Sequence, residues 1–137
     1  MRTITLLLAA LVAASAARAE SPTALLASYR AAAASQAPAY PGPSARAGNE
    51  FFHARGKDWS CASCHTADPL RPGRHAVTGK PIRPLAPSAN PERFSDRAKV
   101  EKWFKRNCKD TLGRECTVAE MADVLAYLVS IGNRSAT

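Results

Sequence analysis

The sequence predicts an all-α domain that contains one long irregular loop. Apolar residues recur at helical spacing in several segments. Residues that commonly cap helices stand at the start of these segments. Prolines and glycines concentrate between residues 69 and 91, where they disfavour regular helix. A chain of 137 residues is long enough for about one such domain.

The N-terminal segment has the pattern of a secretory signal peptide. A basic start at Arg2 precedes an apolar run over residues 4–14, which is uninterrupted if Thr5 is counted, and an Ala-Arg-Ala cleavage site precedes Glu20. This run of eleven residues is much shorter than the ~20 needed to span a bilayer. We therefore expect residues 1–19 to be cleaved and residues 20–137 to form a soluble periplasmic domain with no integral membrane segment.

The net charge bears on the class of partner. Cleavage would remove Arg2 and Arg18 and lower the formal charge from +8 to +6. A basic surface attracts nucleic acid, anionic lipid or acidic protein. Export argues against nucleic acid, so we expect steering toward an acidic redox partner. Dispersed charge also keeps a small protein soluble, and that interpretation stays open.

Two helices are predicted before residue 60. Ser21 caps the first, Pro22 stands in its first turn, and the alanine-rich stretch continues to Ser35 until Pro38 stops it. A second helix is expected over residues 44–54. Its inward positions are predicted to be Ala47, Phe51 and Phe52.

Two further helices are predicted in the C-terminal part. The third opens at Ser95 and Asp96 and is expected to end near Asn107. The fourth opens with a capping box of Thr117 and Glu120 and continues until Gly132. The predicted core positions are Val100, Trp103 and Phe104 in the third helix and Val118, Met121, Ala122, Leu125, Leu128 and Val129 in the fourth.

Residues 61–65 read Cys-Ala-Ser-Cys-His, the pattern that attaches haem covalently. One helical turn lets Cys61 and Cys64 form thioethers to the two vinyl groups while His65 ligates the iron. A zinc half-site would require a second ligand pair, and the other two cysteines have no adjacent histidine. A thioredoxin-like dithiol would require alternating strands and helices. We therefore predict one covalent haem c.

The loop that follows His65 is too long to be an idle connection in a compact domain. We expect it to wrap one face and edge of the haem. One of its carbonyls is expected to accept the Nδ1 proton of His65 and fix the imidazole tautomer.

Spacing alone leaves the second axial position of the iron unassigned. Met121 lies on an inward helical stripe, where a core role is favoured. His53 and His75 are minor candidates, because their positions make an approach to the opposite haem face awkward. Cys108 and Cys116 lie outside the haem motif in an exported chain, so we expect a disulfide worth about 2.5 kcal/mol by chain entropy.

Taken together, these residues resemble the sphaeroides haem protein family, which is related to cytochrome c double-prime within the class I cytochromes c. The resemblance covers nearly all of the chain after residue 19 and departs around residues 69–75. The matching positions are 61–65, Thr78, Gly79, Lys80, 84–89, Arg93, Phe94, 100–103, 106–108, Gly113, Arg114, Cys116 and Thr117, with weaker similarity back to Leu25.

The resemblance implies a class I cytochrome c fold with an extra N-terminal helix. It also implies the pair Cys108 and Cys116, the proximal ligand His65, and Asn107 as the distal ligand, because the residue before the first disulfide cysteine has that role in the family. Family members bind diatomic gases when reduced and are thought to exchange electrons with a dihaem c-type cytochrome.

The leading hypothesis is electron transfer, with a labile Asn107 that leaves on reduction and opens the iron to oxygen, nitric oxide or carbon monoxide. A haem oxidoreductase acting on oxygen, nitric oxide or peroxide is one alternative, and a diatomic gas sensor or carrier is another. No acid–base pair surrounds the motif in the sequence, which favours electron transfer over enzymatic turnover.

Overall fold

The computed structural model describes residues 20–132, so the predicted signal peptide, together with residues 133–137, lies outside the described residues. No helix within the described range is both long and apolar enough to cross a bilayer. In chain order the elements are α1 (Pro22–Gln36), α2 (Ala45–His53), α3 (Cys61–His65), β1 (Gly73–Arg74), β2 (Pro81–Ile82), α4 (Arg97–Leu112) and α5 (Val118–Ser130).

The described domain is mostly helical, and its β-structure is limited to one short ladder within residues 20–132. Within the proline-rich loop, β1 and β2 pair as an antiparallel ladder with Gly73 opposite Ile82. The sequence did not predict this ladder, because each strand has only two residues. The loop is otherwise irregular, as its prolines and glycines predict.

The caps predicted for two helices, at Ser21 and at Thr117, are confirmed. The Ser21 side chain accepts a hydrogen bond from the Ala24 amide at the start of α1. At the start of α5, the Thr117 hydroxyl accepts from the Glu120 amide, and the Glu120 carboxylate accepts from the Thr117 amide. Ser44 caps α2 in the same way as Ser21 caps α1. These bonds satisfy backbone donors that have no partner inside a helix.

The predicted end of the third helix near Asn107 is wrong. Asp96 caps α4, but the helix continues to Leu112 because the first residue suited to ending it is Gly113. Gly113 adopts a left-handed φ of 73° and donates its amide hydrogen to the Lys109 carbonyl. Asn107 therefore lies inside a helix rather than at its end.

The core forms where α5 packs against both α1 and α2. Its largest fully buried side chains are Phe52, Leu25, Leu125 and Leu128. Helices α2 and α5 approach closely at Gly48, where an added Cβ would overlap the Asp123 carbonyl oxygen. The glycine is therefore required by packing.

Trp103 does not join the core, contrary to the prediction. The inward stripe of α4 follows Val100, the partly buried Phe104 and Cys108 with i, i+4, i+8 spacing, which leaves Trp103 on its edge. The indole is 45% exposed, and the guanidinium carbon of Arg106 lies 5.7 Å from its ring centroid. This cation–π contact belongs to the solvent-facing side of α4.

Candidate haem site

The haem motif forms helix α3, which begins with a capping box. Ser60 Oγ accepts a hydrogen bond from the Ser63 amide at 3.2 Å, and the Ser60 amide donates to Ser63 Oγ at 2.9 Å. This short turn presents the half-buried free thiols of Cys61 and Cys64 together with the imidazole of His65. Three of the four predicted haem residues therefore share one structural element.

The hairpin of the proline-rich loop packs against this turn. A Cβ on Gly73 would overlap the Cys64 carbonyl oxygen, so only glycine permits the observed approach. The Ala76 amide also donates a hydrogen bond to Cys64 Sγ at 3.3 Å. The loop thus contacts the motif, while its wrapping of a haem stays a prediction.

The His65 imidazole has the protonation state needed in a ligand. Burial, together with a smaller contribution from the positive charge of Arg93, lowers the pKa of His65 to about 4. The ring is therefore neutral at pH 7, with a lone pair available to iron. Its Nδ1 atom is buried and has no hydrogen-bond partner among residues 20–132, so the expected carbonyl partner is not found.

The two thiols complete a donor set that fits haem c. Burial raises the pKa of Cys61 to about 11, with a smaller contribution from Cys64, so Cys61 is a neutral thiol at pH 7. Two thiols and a neutral imidazole on one turn match what thioether attachment and axial ligation require. Two further features mark this site. Gly73 lies so close to the Cys64 carbonyl that no Cβ would fit, and the buried Nδ1 of His65 has no hydrogen-bond partner among residues 20–132.

Asn107 lies on a different element from the other predicted ligands. Its half-buried carboxamide makes no hydrogen bond to any part of the chain between residues 20 and 132. It directly precedes Cys108, which is bridged to Cys116 with a Cα–Cα distance of 5.6 Å. The disulfide prediction is confirmed. The structure shows no hydrogen bond that joins Asn107 to α3 within the described chain.

The fold and the sequence are both similar to known haem proteins. A family model described as "Domain of unknown function (DUF1924)" matches residues 38–128. The cytochrome c-type protein SHP of Cereibacter sphaeroides is 49% identical over 112 residues, which cover 80% of this chain and 84% of SHP. Cytochrome c'' of Methylophilus methylotrophus is 45% identical over 98 residues, or 68% of each chain. The chain belongs to the family of SHP and cytochrome c''.

Solved structures of these relatives support the same fold for this cytochrome. Oxidised cytochrome c'' superposes with a TM-score of 0.73 at 42% identity and covers 80% of this chain and 93% of that one. Oxidised SHP, described as an oxygen-binding cytochrome c, gives a TM-score of 0.72 at 44% identity, with coverage of 81% and 97%. A solution structure of cytochrome c'' addresses the structural basis of its haem-ligand detachment. This chain is therefore a monohaem c-type cytochrome with a mostly helical cytochrome c-like fold.

Both minor histidine candidates are engaged in hydrogen bonds in this cytochrome. The ring nitrogens of His53 lie 2.8 Å from the Asn49 carbonyl oxygen and 3.2 Å from that of Ala67. His75 Nδ1 accepts hydrogen bonds from two backbone amides, each at 3.2 Å. In a neutral ring this places the proton of His75 on Nε2, which then has no lone pair for iron. Neither histidine therefore has a ring nitrogen that is available to ligate iron.

Met121 has the surroundings of a core residue. It is half-buried and packs against the hydrophobic cluster centred on α5. Together with Phe104 and Cys116 it lines a cavity of about 180 Å³ beside the disulfide. The Met121 side chain thus borders irregular space next to α4, a place that methionine often occupies.

Arg93 is a site residue that sequence reasoning missed. In the sequence it stands out only as one of the positions that resemble the family. In the structure it is half-buried in the segment between the loop and α4, and its charge acts on His65. A single arginine in a basic chain has no pattern that would distinguish it from a solvated one, so only the fold indicates its place.

Proposed function

We propose that the mature chain is an exported electron carrier in which Cys61 and Cys64 hold one haem c and His65 ligates its iron. The observation that carries this proposal is the capped turn α3, which presents two half-buried thiols and one neutral imidazole together. Haem c bound there would supply a one-electron couple and a second axial position. The protein itself supplies the ligands and their orientation.

Asn107 is the distal ligand in this proposal. Its carboxamide oxygen is a neutral, hard and weak donor. Ferric haem has a net positive charge that attracts this dipole, whereas the charge of the ferrous iron is cancelled by the porphyrin. The amide of Asn107 would therefore be favoured as a ligand of the oxidised haem and disfavoured on reduction. The half-buried position of Asn107, and its lack of a hydrogen-bond partner among residues 20–132, support this role.

Ligand release has two consequences for the cytochrome. A tenfold preference of the amide for the oxidised state corresponds to about 1.4 kcal/mol and lowers the midpoint potential by roughly 60 mV. Departure of Asn107 would also leave the reduced iron accessible to oxygen, nitric oxide or carbon monoxide. The description of SHP as an oxygen-binding cytochrome c supports this part of the proposal.

A stripe on α4 is suited to an acidic redox partner. Lys99, Lys102, Trp103 and Arg106 follow i, i+3, i+4, i+7 spacing, and all four are exposed. Lys99 and Lys102 form no ion pair with any described residue. We call these four residues the basic stripe. Because Asn107 lies on the same helix, a protein with an acidic surface, such as a dihaem c-type cytochrome, would dock close to the distal ligand.

The periplasm is the proposed location. The signal pattern of residues 1–19 supports export, and residues 20–137 would then form the mature haem domain. The disulfide between Cys108 and Cys116 is consistent with an oxidising compartment.

Two measurements on the purified protein test this function. Acid-acetone treatment is expected to leave the colour in the protein, whereas extractable haem would contradict attachment through Cys61 and Cys64. Optical and electron paramagnetic spectra are expected to show a six-coordinate ferric haem and a ferrous haem that binds carbon monoxide. A ferrous spectrum unaffected by carbon monoxide would contradict ligand release. Rapid turnover of peroxide, oxygen or nitric oxide would instead favour an oxidoreductase.

A further inference from the structure

A network of hydrogen bonds fixes the Arg93 guanidinium at the end of the loop. Arg93 Nε donates to the Pro84 carbonyl at 3.0 Å, and Arg93 Nη2 donates to the Arg83 carbonyl at 2.8 Å. The buried Asn90 side chain donates to the same Pro84 carbonyl at 3.2 Å and accepts from Arg83 Nη2 at 3.1 Å. Both acceptors of Arg93 are neutral, so these bonds orient its charge without neutralising it.

The charge of Arg93 is left without a carboxylate partner in the described chain. The neighbouring Arg83 is paired with Glu92 at 2.7 Å. Arg93 forms no such ion pair with residues 20–132, although a guanidinium has five N–H donors and its two described bonds use only some of them. Burial and the like charge of Arg83 both lower the pKa of Arg93, which means that its charged form is disfavoured where it stands. An anion beside it would remove that cost.

The backbone next to Arg93 also differs from ordinary loop structure. Within residues 20–132, only two non-glycine residues have a positive φ, namely Thr66 at 62° and Phe94 at 60°. Thr66 directly follows His65, and Phe94 directly follows Arg93. Such conformations cost on the order of 1–3 kcal/mol and persist where the surrounding structure requires them. The buried Phe94 ring packs in the core, which holds Arg93 in a defined position.

We propose that Arg93 binds the carboxylate of a haem propionate. This proposal rests on the haem c assigned to α3 above. Arg83, whose carbonyl accepts from Arg93, directly follows Ile82, and Ile82 pairs with Gly73. Gly73 in turn lies against the Cys64 carbonyl and the His65 Cα, so this chain of contacts holds the guanidinium close to the turn that would ligate the haem. A propionate is the anionic part of haem c, and a planar guanidinium is suited to a carboxylate. Arg93 is thus a cofactor-binding residue that compensates one negative charge at the haem edge.

The test compares midpoint potentials of covalently loaded proteins. In Arg93→Gln, the uncompensated propionate favours ferric haem, so the ratio of oxidised to reduced protein at a fixed applied potential should rise at least tenfold, or about 60 mV. Arg93→Lys keeps the charge and should recover most of this shift. Arg97→Gln is the matched control, because Arg97 is 38% exposed and already paired with Glu20. It removes the same charge and should shift the ratio less than twofold.

Resonance Raman spectra separate a propionate contact from a merely structural role. The propionate bending band should move in Arg93→Gln and stay near its parent position in Arg97→Gln. If Arg93→Gln loses thermal stability while the potential and this band remain unchanged, Arg93 only braces the loop and the proposal is overturned. Colour retained after acid-acetone treatment confirms that haem c is present in each variant. Loss of colour in the parent protein would refute the haem assignment itself. That result is distinguishable from an unchanged potential in Arg93→Gln, which would refute only the propionate contact.

Discussion

Thr111 Oγ1 donates a hydrogen bond to the Asn107 backbone carbonyl at 2.8 Å, one turn farther along α4. The Thr111 carbonyl in turn accepts the Lys57 amide at 2.7 Å, which ties this part of α4 to the segment before the haem motif. Cys108 is bonded to Cys116 on the other side. The Asn107 backbone is thus restrained in three ways. The proposed release of the Asn107 amide on reduction would therefore proceed by side-chain rotation rather than by movement of the helix.

The disulfide should stabilise the fold without being required for haem attachment. Its sequence separation is 8, and chain entropy for such a loop gives about 2.5 kcal/mol. The double variant Cys108→Ser, Cys116→Ser is expected to lose about this free energy of unfolding in denaturant titrations and to keep its covalent haem. An unchanged denaturation midpoint would show that the bond contributes nothing to stability.

Two closely packed glycines should respond differently to an added methyl group. Gly73→Ala forces the β1 backbone away from the Cys64 carbonyl, so less haem should be attached and the haem spectrum should change. Gly48→Ala acts instead at the α2–α5 crossing and should cost roughly 1–3 kcal/mol of stability, as overpacking does. Its haem spectrum should match that of the parent. Identical spectra in both variants would argue against contact between the hairpin and the haem motif.

The capping box of α5 predicts a loss of stability in acid. A hydrogen bond from Arg114 is the main cause that lowers the pKa of Glu120 below its ordinary value of 4.5. The stability that the ionised Glu120 carboxylate contributes is therefore fully present above pH 4.5. It is lost as the pH falls through the pKa of Glu120 in the folded protein, which is lower than 4.5. Glu120→Gln should cost about 1 kcal/mol at pH 7. The difference from the parent protein should shrink in acid, as measured by chemical denaturation at each pH.

The control for this titration is Glu50→Gln. Glu50 pairs with Arg46 on the exposed face of α2, where an ion pair contributes less than about 0.5 kcal/mol. A Glu120→Gln difference that stays constant from pH 7 into strong acid would contradict the assigned role of the carboxylate.

Charge on the basic stripe should affect electron transfer with small ionic probes. In Lys102→Glu, oxidation of the reduced cytochrome by ferricyanide should slow severalfold, whereas oxidation by cationic cobalt tris-phenanthroline should accelerate. Both effects should disappear at high salt because of screening. Lys80→Glu makes the same charge change in the loop and serves as the control. Equal effects in both variants would mean that net charge, rather than the stripe, controls the rate.

Local sequence signals predicted much of this fold. Ser21 and Thr117 mark helix starts because capping is a contact between near neighbours, and the Cys61–His65 motif lies within one turn. The end of α4 was missed because no breaker occurs before Gly113 and the expectation relied on the position of Asn107. The roles of Trp103 and Arg93 were missed because they depend on contacts between distant segments, which spacing does not encode.

Substitution of Asn107 tests the central claim most directly. Asn107→Ala is expected to give a five-coordinate or water-bound ferric haem and a raised midpoint potential, because the ligand that stabilises the ferric state is lost. Met121→Leu is the matched control and should leave the haem spectrum and potential unchanged. The account is contradicted if Asn107→Ala keeps the parent spectrum and potential while Met121→Leu or His75→Ala changes them.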